Sequence, residues 1–108
     1  MSYAQNKKNE LNYQTVADML YTEACESFRK FGKPVVEISD YQVFRTIIKA
    51  GQPQFTFSYS MRTLTEYLNK IRGCVATYHN NGPKNYLEPA DWDEDDESIQ
   101  LVLVDVIG

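Results

Sequence analysis

The sequence predicts a small α/β or α+β domain in which about three helices pack on a sheet of three to four strands, in the order α-β-α-β-α-β. Three segments with helical apolar spacing, three β-favouring segments and the turn residues between them support this prediction. Because the predicted helices lie between successive strands, we also expect right-handed crossovers and some parallel strand pairing. The composition, 43% hydrophobic and 24% charged, is that of a globular chain, and 108 residues suit a single domain spanning 1–108.

The first predicted helix follows a polar lead-in over residues 1–11. Over Tyr13–Phe31, apolar residues recur every three or four positions, which is the spacing of one buried helix face. Asn12 or Thr15 is suited to cap the N-terminus of this helix, and Gly32 is suited to end it.

A short strand and a second helix are predicted next. Residues 35–38 form a β-favouring run. Ser39 and Gln42 fit a capping box, so a helix should begin there and end after about three turns at Gly51. Its predicted buried face consists of three apolar residues, Phe44, Ile47 and Ile48.

Residues 54–60 predict a second strand. Aromatic and polar residues alternate along this segment, which is the pattern of a strand with one apolar and one polar face. The aromatic residues of the predicted strand are Phe55, Phe57 and Tyr59.

The third helix is predicted to begin at another capping box, Thr63 with Glu66. Apolar residues over 64–78 then fall on one helical stripe, which favours a continuous helix. The alternative is that the helix ends near Gly73 and that residues 74–79 form a strand.

The last strand is predicted after an acidic connecting loop over residues 84–98. Ile99–Ile107 is a nearly unbroken apolar run, which predicts a strand that is buried on both faces and central in its sheet. Leu68, Ile71 and Val102 are therefore expected in the core.

Cysteine usage and hydropathy predict a cytoplasmic protein. Cys25 and Cys74 belong to no CxxC or CxxH motif, so we expect reduced, buried thiols rather than a disulfide. No apolar run reaches the roughly 18 residues needed to span a bilayer, and no apolar stretch follows the N-terminal lysines.

Motifs for catalysis, metal binding or cofactor binding are not recognisable in the sequence. His79 is the one histidine, and Cys74, five residues before it, cannot share a helix or strand face with it. Asp91–Glu97 begins like a calcium loop, but Asp96 stands where the turn needs Gly and Val102 where a bidentate Glu is needed. The glycines are isolated and form no phosphate-binding loop. We expect no enzyme activity, no metal site and no cofactor, with weak, unspecific binding of divalent ions as the alternative for the aspartates.

Charge is distributed unevenly along the chain. Residues 1–87 carry 11 basic and seven acidic residues, a net +4, whereas residues 88–108 carry eight acidic residues and no base, a net −8. Trp92 lies in the most acidic part, and a Trp among carboxylates suits an interface anchor. We therefore predict that this part binds a protein with a basic surface. The predicted partner-binding residues, here called the acidic segment, are Glu88, Asp91, Trp92, Asp93, Glu94, Asp95, Asp96 and Glu97. The alternative is that Trp92 packs against the core of its own domain.

The sequence thus favours a small, non-enzymatic protein-binding module. Such acidic, Tyr-rich chains without active-site motifs are typical of phage and mobile-element accessory proteins, including inhibitors of nucleic-acid machinery, although no motif places this chain in a known family. Its aromatic content also suits a symmetric homodimer. The alternative function is binding of a nucleotide or single-stranded nucleic acid on the aromatic strand. The residues predicted for that alternative are Phe55, Phe57, Tyr59, Arg45, Lys49 and Arg62.

Overall fold

Three helices pack on one face of a three-stranded antiparallel sheet in a computed structural model that describes residues 11–83 and 95–104. The elements are, in chain order, α1 (Tyr13–Phe31), β1 (Val35–Ser39), α2 (Asp40–Lys49), a 3₁₀ turn (Pro53–Phe55), α3 (Met61–Leu68), β2 (Cys74–Pro83) and β3 (Asp95–Leu103). The described residues therefore form a small α+β fold. The number of helices is as predicted, but the order of helices and strands does not alternate in the predicted way.

Helix α1 has the predicted bounds and the predicted caps. The Asn12 side-chain oxygen accepts a hydrogen bond from the Thr15 backbone N–H at 3.2 Å. At the other end, Gly32 adopts a left-handed conformation with φ of 70° and donates its N–H to the Phe28 carbonyl. Both ends are therefore satisfied by local contacts, as the sequence indicates.

Helix α2 also begins and ends as predicted. The Ser39 hydroxyl accepts a hydrogen bond from the Gln42 backbone N–H at 3.1 Å. Gly51, with φ of 77°, follows the last turn and allows the chain to reverse there. The predicted buried face is wrong in part, because Ile47 is buried whereas Ile48 is exposed and Phe44 is half-buried.

The strand predicted over residues 54–60 is wrong. Pro53 instead begins a 3₁₀ turn. The Pro53 carbonyl accepts hydrogen bonds from both the backbone N–H and the hydroxyl of Thr56. A further turn bond runs from the Ser58 N–H to the Phe55 carbonyl. These local bonds take the backbone groups that a strand would offer to a neighbour, so alternation of side chains did not produce a strand.

Helix α3 begins earlier than the predicted capping box. Its N-cap is Ser60, whose hydroxyl accepts a hydrogen bond from the Thr63 backbone N–H at 3.2 Å. Two helical residues, Met61 and Arg62, thereby precede Thr63, and Met61 is buried.

The continuous helix over 64–78 is wrong, and the alternative strand is correct. Helix α3 ends at Leu68, and the Asn69 side chain both donates to the Ala76 carbonyl and accepts from the Ala76 N–H. Gly73 is packed so closely against the Tyr21 hydroxyl that a Cβ atom there would overlap it. The Asn69 amide and the bare backbone at Gly73 thus support a tight turn into β2.

The sheet has the order β1-β3-β2, and both pairings are antiparallel. The expected adjacent parallel pairing is therefore wrong among the described residues. Strands β1 and β2 do run parallel to each other, but β3 lies between them and supplies hydrogen bonds to both. The predicted central position of the last strand is confirmed.

Burial of β3 on both faces is wrong. Ile99, Leu101 and Leu103 are fully buried under the helices, whereas Gln100 on the opposite face is exposed and Val102 is half-buried. The helices cover one face of the sheet, and the other is open in the described part of the chain. The apolar run therefore predicted more burial of β3 than the structure shows.

The core lies between the helices and the inner sheet face. Leu68 is buried as predicted, and Ile71 is half-buried at the edge of the core. Leu11, which the sequence placed in the polar lead-in, is buried in this core. The connecting loop predicted over 84–98 ends earlier than expected, because β3 begins at Asp95.

Candidate functional site

The outward side of α2 carries three large side chains, Tyr41, Phe44 and Ile48, here called the α2 stripe. Their spacing of three, four and seven residues places them on one side of the helix. Tyr41 is 68% exposed, Ile48 is 46% exposed and Phe44 is half-buried. The buried side of the same helix consists of Val43, Thr46 and Ile47.

Ring stacking and a cation order the α2 stripe. The rings of Tyr41 and Phe44 lie 6.5 Å apart between centroids and 9° from parallel. The guanidinium of Arg45 lies 5.9 Å from the centroid of the Tyr41 ring, within cation–π range. Among the described residues, Arg45 is exposed and has no carboxylate within ion-pair distance. A guanidinium without a carboxylate partner in the described part of the chain therefore borders the exposed aromatic surface.

The segment after α2 runs back along that helix. It leaves the C-terminus of α2 through a hydrogen bond from the Gln52 N–H to the Ile47 carbonyl. It reaches the N-terminus of α2 at Tyr59, whose hydroxyl donates to the Asp40 carboxylate. Phe57 lies in this returning segment and is 95% exposed, the most exposed of the large apolar residues that the structure describes. Phe57 is thus an exposed ring on the segment that connects the two ends of α2, the helix that carries the α2 stripe.

A polar cleft of 360 Å³ lies between α1 and α2, and both Tyr41 and Arg45 contribute to its lining. Within it, the Glu23 carboxylate pairs with the Lys49 ammonium at 3.8 Å and accepts a hydrogen bond from the Gln42 amide at 3.3 Å. Both charged groups are partly exposed, so this ion pair contributes little to stability. Lys49 thus has a carboxylate partner, whereas Arg45 has none within residues 11–83 and 95–104.

The open sheet face carries a second, smaller apolar feature. In the strand register, Val35 of β1 lies beside Val102 of β3, which lies beside Val75 of β2. Val35 and Val75 are exposed, and Val102 is half-buried. Polar residues follow in the next outward row, which consists of Glu37, Gln100 and Thr77.

The residues predicted for nucleic-acid binding are only partly brought together. Arg45, Lys49 and Phe57 are exposed on or beside α2, whereas Phe55 and Tyr59 are half-buried and pack against the core. Arg62 lies on α3, where its guanidinium is 4.6 Å from the Tyr78 ring centroid. The aromatic strand face on which that prediction rests does not exist.

The acidic segment lies largely outside the described residues. Glu88, Asp91, Trp92, Asp93 and Glu94 all fall outside, so their predicted role stays a prediction. Asp95, Asp96 and Glu97 begin β3, where Asp96 is exposed. Glu97 is half-buried and accepts a hydrogen bond from the Tyr78 hydroxyl. This hydrogen bond to the Glu97 carboxylate raises the pKa of Tyr78, because it favours the protonated phenol.

The cysteines and the histidine do not form a nucleophilic pair. Cys74 faces the core and His79 is exposed, on opposite faces of β2. Burial, with a smaller contribution from Cys25, raises the pKa of the Cys74 thiol to about 11. Both cysteines are free thiols, and Cys74 is buried as predicted whereas Cys25 is half-buried.

The described ranges, 11–83 and 95–104, also bear on metal binding and on membrane insertion. No group of three His, Cys, Asp or Glu residues there is placed to hold a metal ion. None of the helices in these ranges is both long and apolar enough to cross a bilayer.

Sequence reasoning missed the α2 stripe. The sequence does indicate this surface, because the apolar residues of α2 lie on two sides of the helix and only one side can be buried against the core. Tyr41, at the second position of the helix, was not assigned to any face.

The predicted homodimer stays a prediction, and light scattering over a concentration series tests it.

Comparison of the chain with protein-family models, with curated proteins and with solved structures finds no match in any of the three.

Proposed function

We propose that this chain is a non-enzymatic protein-binding module that docks its partner on the α2 stripe and Phe57. The observation that carries the proposal is the exposure of Tyr41, at 68%, and of Ile48, at 46%, on the same side of α2 as Phe44, together with the 95% exposure of Phe57 on the segment that follows α2. Contiguous exposed apolar side chains on a small domain are typical of interaction sites. Aromatic residues with an adjacent Arg are also the residue types enriched in binding hot spots.

A protein partner is favoured over single-stranded nucleic acid by charge and by ring placement. Stacking of successive bases needs several accessible ring faces along a cationic groove. Here Phe55 and Tyr59 are half-buried, and the charge of Lys49 is shared with Glu23.

The acidic segment is a separate proposal for a second contact, made to a basic part of a partner's surface. Its support is the net charge of −8 over residues 88–108, which would steer encounter with a cationic surface. The acidic segment and the α2 stripe are different parts of the chain, so an experiment can contradict either proposed contact without contradicting the other.

Selection from a displayed random peptide library tests the docking surface. The wild-type chain is expected to enrich peptides that no longer bind a variant carrying Tyr41→Ser and Phe57→Ser. Val75→Ser, on the open sheet face, is the control and should retain binding, since it also replaces an exposed apolar residue. Circular dichroism of each variant checks that it is folded. Enriched peptides that bind the double variant as tightly as wild type would show that the docking surface lies elsewhere.

A further inference from the structure

We infer that the partner presents an acidic amphipathic helix to this surface, with apolar side chains on the α2 stripe and a carboxylate on Arg45. The inference rests on the proposed function and adds the chemistry of the partner. The juxtaposition that carries it is a two-turn apolar ridge along one edge of which lies the Arg45 guanidinium, which pairs with no carboxylate of residues 11–83 and 95–104.

The shape of the surface favours a helix. Tyr41, Phe44 and Ile48 form a ridge along one side of α2, and such ridges pack into the grooves between side chains of a second helix. Phe57, which is 95% exposed on the segment that connects the two ends of α2, is a second ring that the inferred partner helix would contact. A partner helix therefore requires apolar residues with a spacing of three and four.

Charge complementarity selects an acidic helix. The acidic groups that flank α2 already have partners, since Asp40 accepts from the Tyr59 hydroxyl and Glu23 pairs with Lys49. Arg45 is the cation beside the α2 stripe that has no carboxylate partner within the described residues. A partner carboxylate would form a charge-assisted hydrogen bond with the guanidinium, whereas a partner Lys would be repelled and leave both cations unpaired.

The experiment is a selection from a helical peptide library, and the enriched peptides show whether this surface prefers acidic or basic flanking residues. Displayed helices of about 15 residues carry mixed apolar residues at the core spacing, and each flanking position is randomised between Glu and Lys. The wild-type chain should enrich Glu on one flank, and a resynthesised Glu peptide should bind at least about tenfold more tightly than its Lys counterpart at low salt. NMR amide shifts on binding should map to residues 41–48 and to Phe57.

Two charge-reversal variants complete the design. Arg45→Glu should invert the preference, so that Lys is enriched at the same flank. Arg72→Glu is the matched control, because Arg72 is also exposed but lies in the turn before β2, whereas α2 contacts β1 at the far edge of the sheet. It should leave the Glu preference unchanged although the net charge changes equally.

Each outcome decides a different point. Equal binding of the Glu and Lys peptides at the α2 stripe would overturn the inference and leave the proposed function standing. Failure of every library member to bind would overturn both. A single-stranded oligothymidylate that shifts the same amides and binds more tightly than the Glu peptide would overturn the protein partner in favour of a nucleic acid.

Discussion

The Tyr59 hydroxyl lies 2.5 Å from the Asp40 carboxylate and joins the end of the returning segment to the first turn of α2. The two residues are 19 positions apart, so this contact closes the loop that contains the 3₁₀ turn and Phe57. Phe55 and Thr56 anchor the middle of the same loop, Phe55 against the core and Thr56 through its bond to Pro53. The exposed Phe57 is thus held on a segment with anchors on both sides.

Replacement of Tyr59 by Phe should destabilise the domain by about 1 kcal/mol, since it removes a partly buried hydrogen bond to a carboxylate. Urea unfolding followed by circular dichroism measures the change. Tyr41→Phe is the matched control, because Tyr41 is 68% exposed and its hydroxyl can be hydrated; its free energy of unfolding should stay within about 0.5 kcal/mol of wild type. Equal stability of the two variants would contradict a stabilising role for the Tyr59 contact.

Leu68→Ala should reduce the free energy of unfolding by roughly 2–5 kcal/mol, because Leu68 is fully buried and its truncation leaves a cavity. Ile71→Ala should cost less, since Ile71 is half-buried. Ile48→Ala serves as the comparison on the α2 stripe and should change stability by about 0.5 kcal/mol or less. A large loss of stability in Ile48→Ala would show that the α2 stripe belongs to the core and is not a docking surface.

The Cys74 thiol should resist alkylation in the native protein at neutral pH. Its folded-state pKa of about 11 lies above the ordinary 9.0, so the reactive thiolate is scarce and the sulfur is buried. Iodoacetamide labelling read by mass spectrometry, with and without urea, measures this protection. Rapid labelling of Cys74 in the native state would contradict its burial.

Stability should also fall at high pH through the same thiol. The unfolded state loses its proton near pH 9.0, whereas the folded state keeps it up to about 11. The contribution of Cys74 is therefore complete below pH 9.0 and is lost as the pH rises toward about 11. Urea unfolding of wild type and of Cys74→Ala across this range separates the thiol from other groups: the variant should show a smaller loss.

Trp92→Ala tests whether the acidic segment is external. The sequence predicts that Trp92 anchors a partner, so its removal should change the free energy of unfolding of the isolated chain by about 0.5 kcal/mol or less. Chemical unfolding followed by circular dichroism measures this without relying on the lost indole. A loss of several kcal/mol would establish Trp92 as a core residue and remove it from the proposed second contact.

The same proposal predicts a kinetic effect of charge. Changing Asp93, Asp95 and Asp96 together to Asn should slow association with a basic partner and flatten its salt dependence, because these carboxylates would steer the encounter. A partner recovered by peptide or protein selection is the ligand for that measurement, made by stopped flow over a salt series. Unchanged association rates would contradict steering by the acidic segment.

Local signals in the sequence were sufficient for the elements whose ends are satisfied by neighbouring residues. Asn12 and Gly32 bound α1, and Ser39 begins α2, through hydrogen bonds that span a few positions. The central place of β3 was also predictable, because its apolar run has a pattern that edge strands rarely carry.

The remaining features depend on contacts between distant parts of the chain. Residues 54–60 have the alternation of a strand, but no strand lies beside them and Tyr59 instead bonds to Asp40. Residues 74–79 fit a helical stripe as well as a strand. They form a strand because they pair with β3 and because the Asn69 side chain binds the backbone of Ala76. Periodicity reports which side chains can share a face, whereas the partner that covers the face is set by packing. For the same reason, the exposure of Phe57 and of the α2 stripe is determined by how the helices pack on one face of the sheet, and the sequence pattern alone does not establish it.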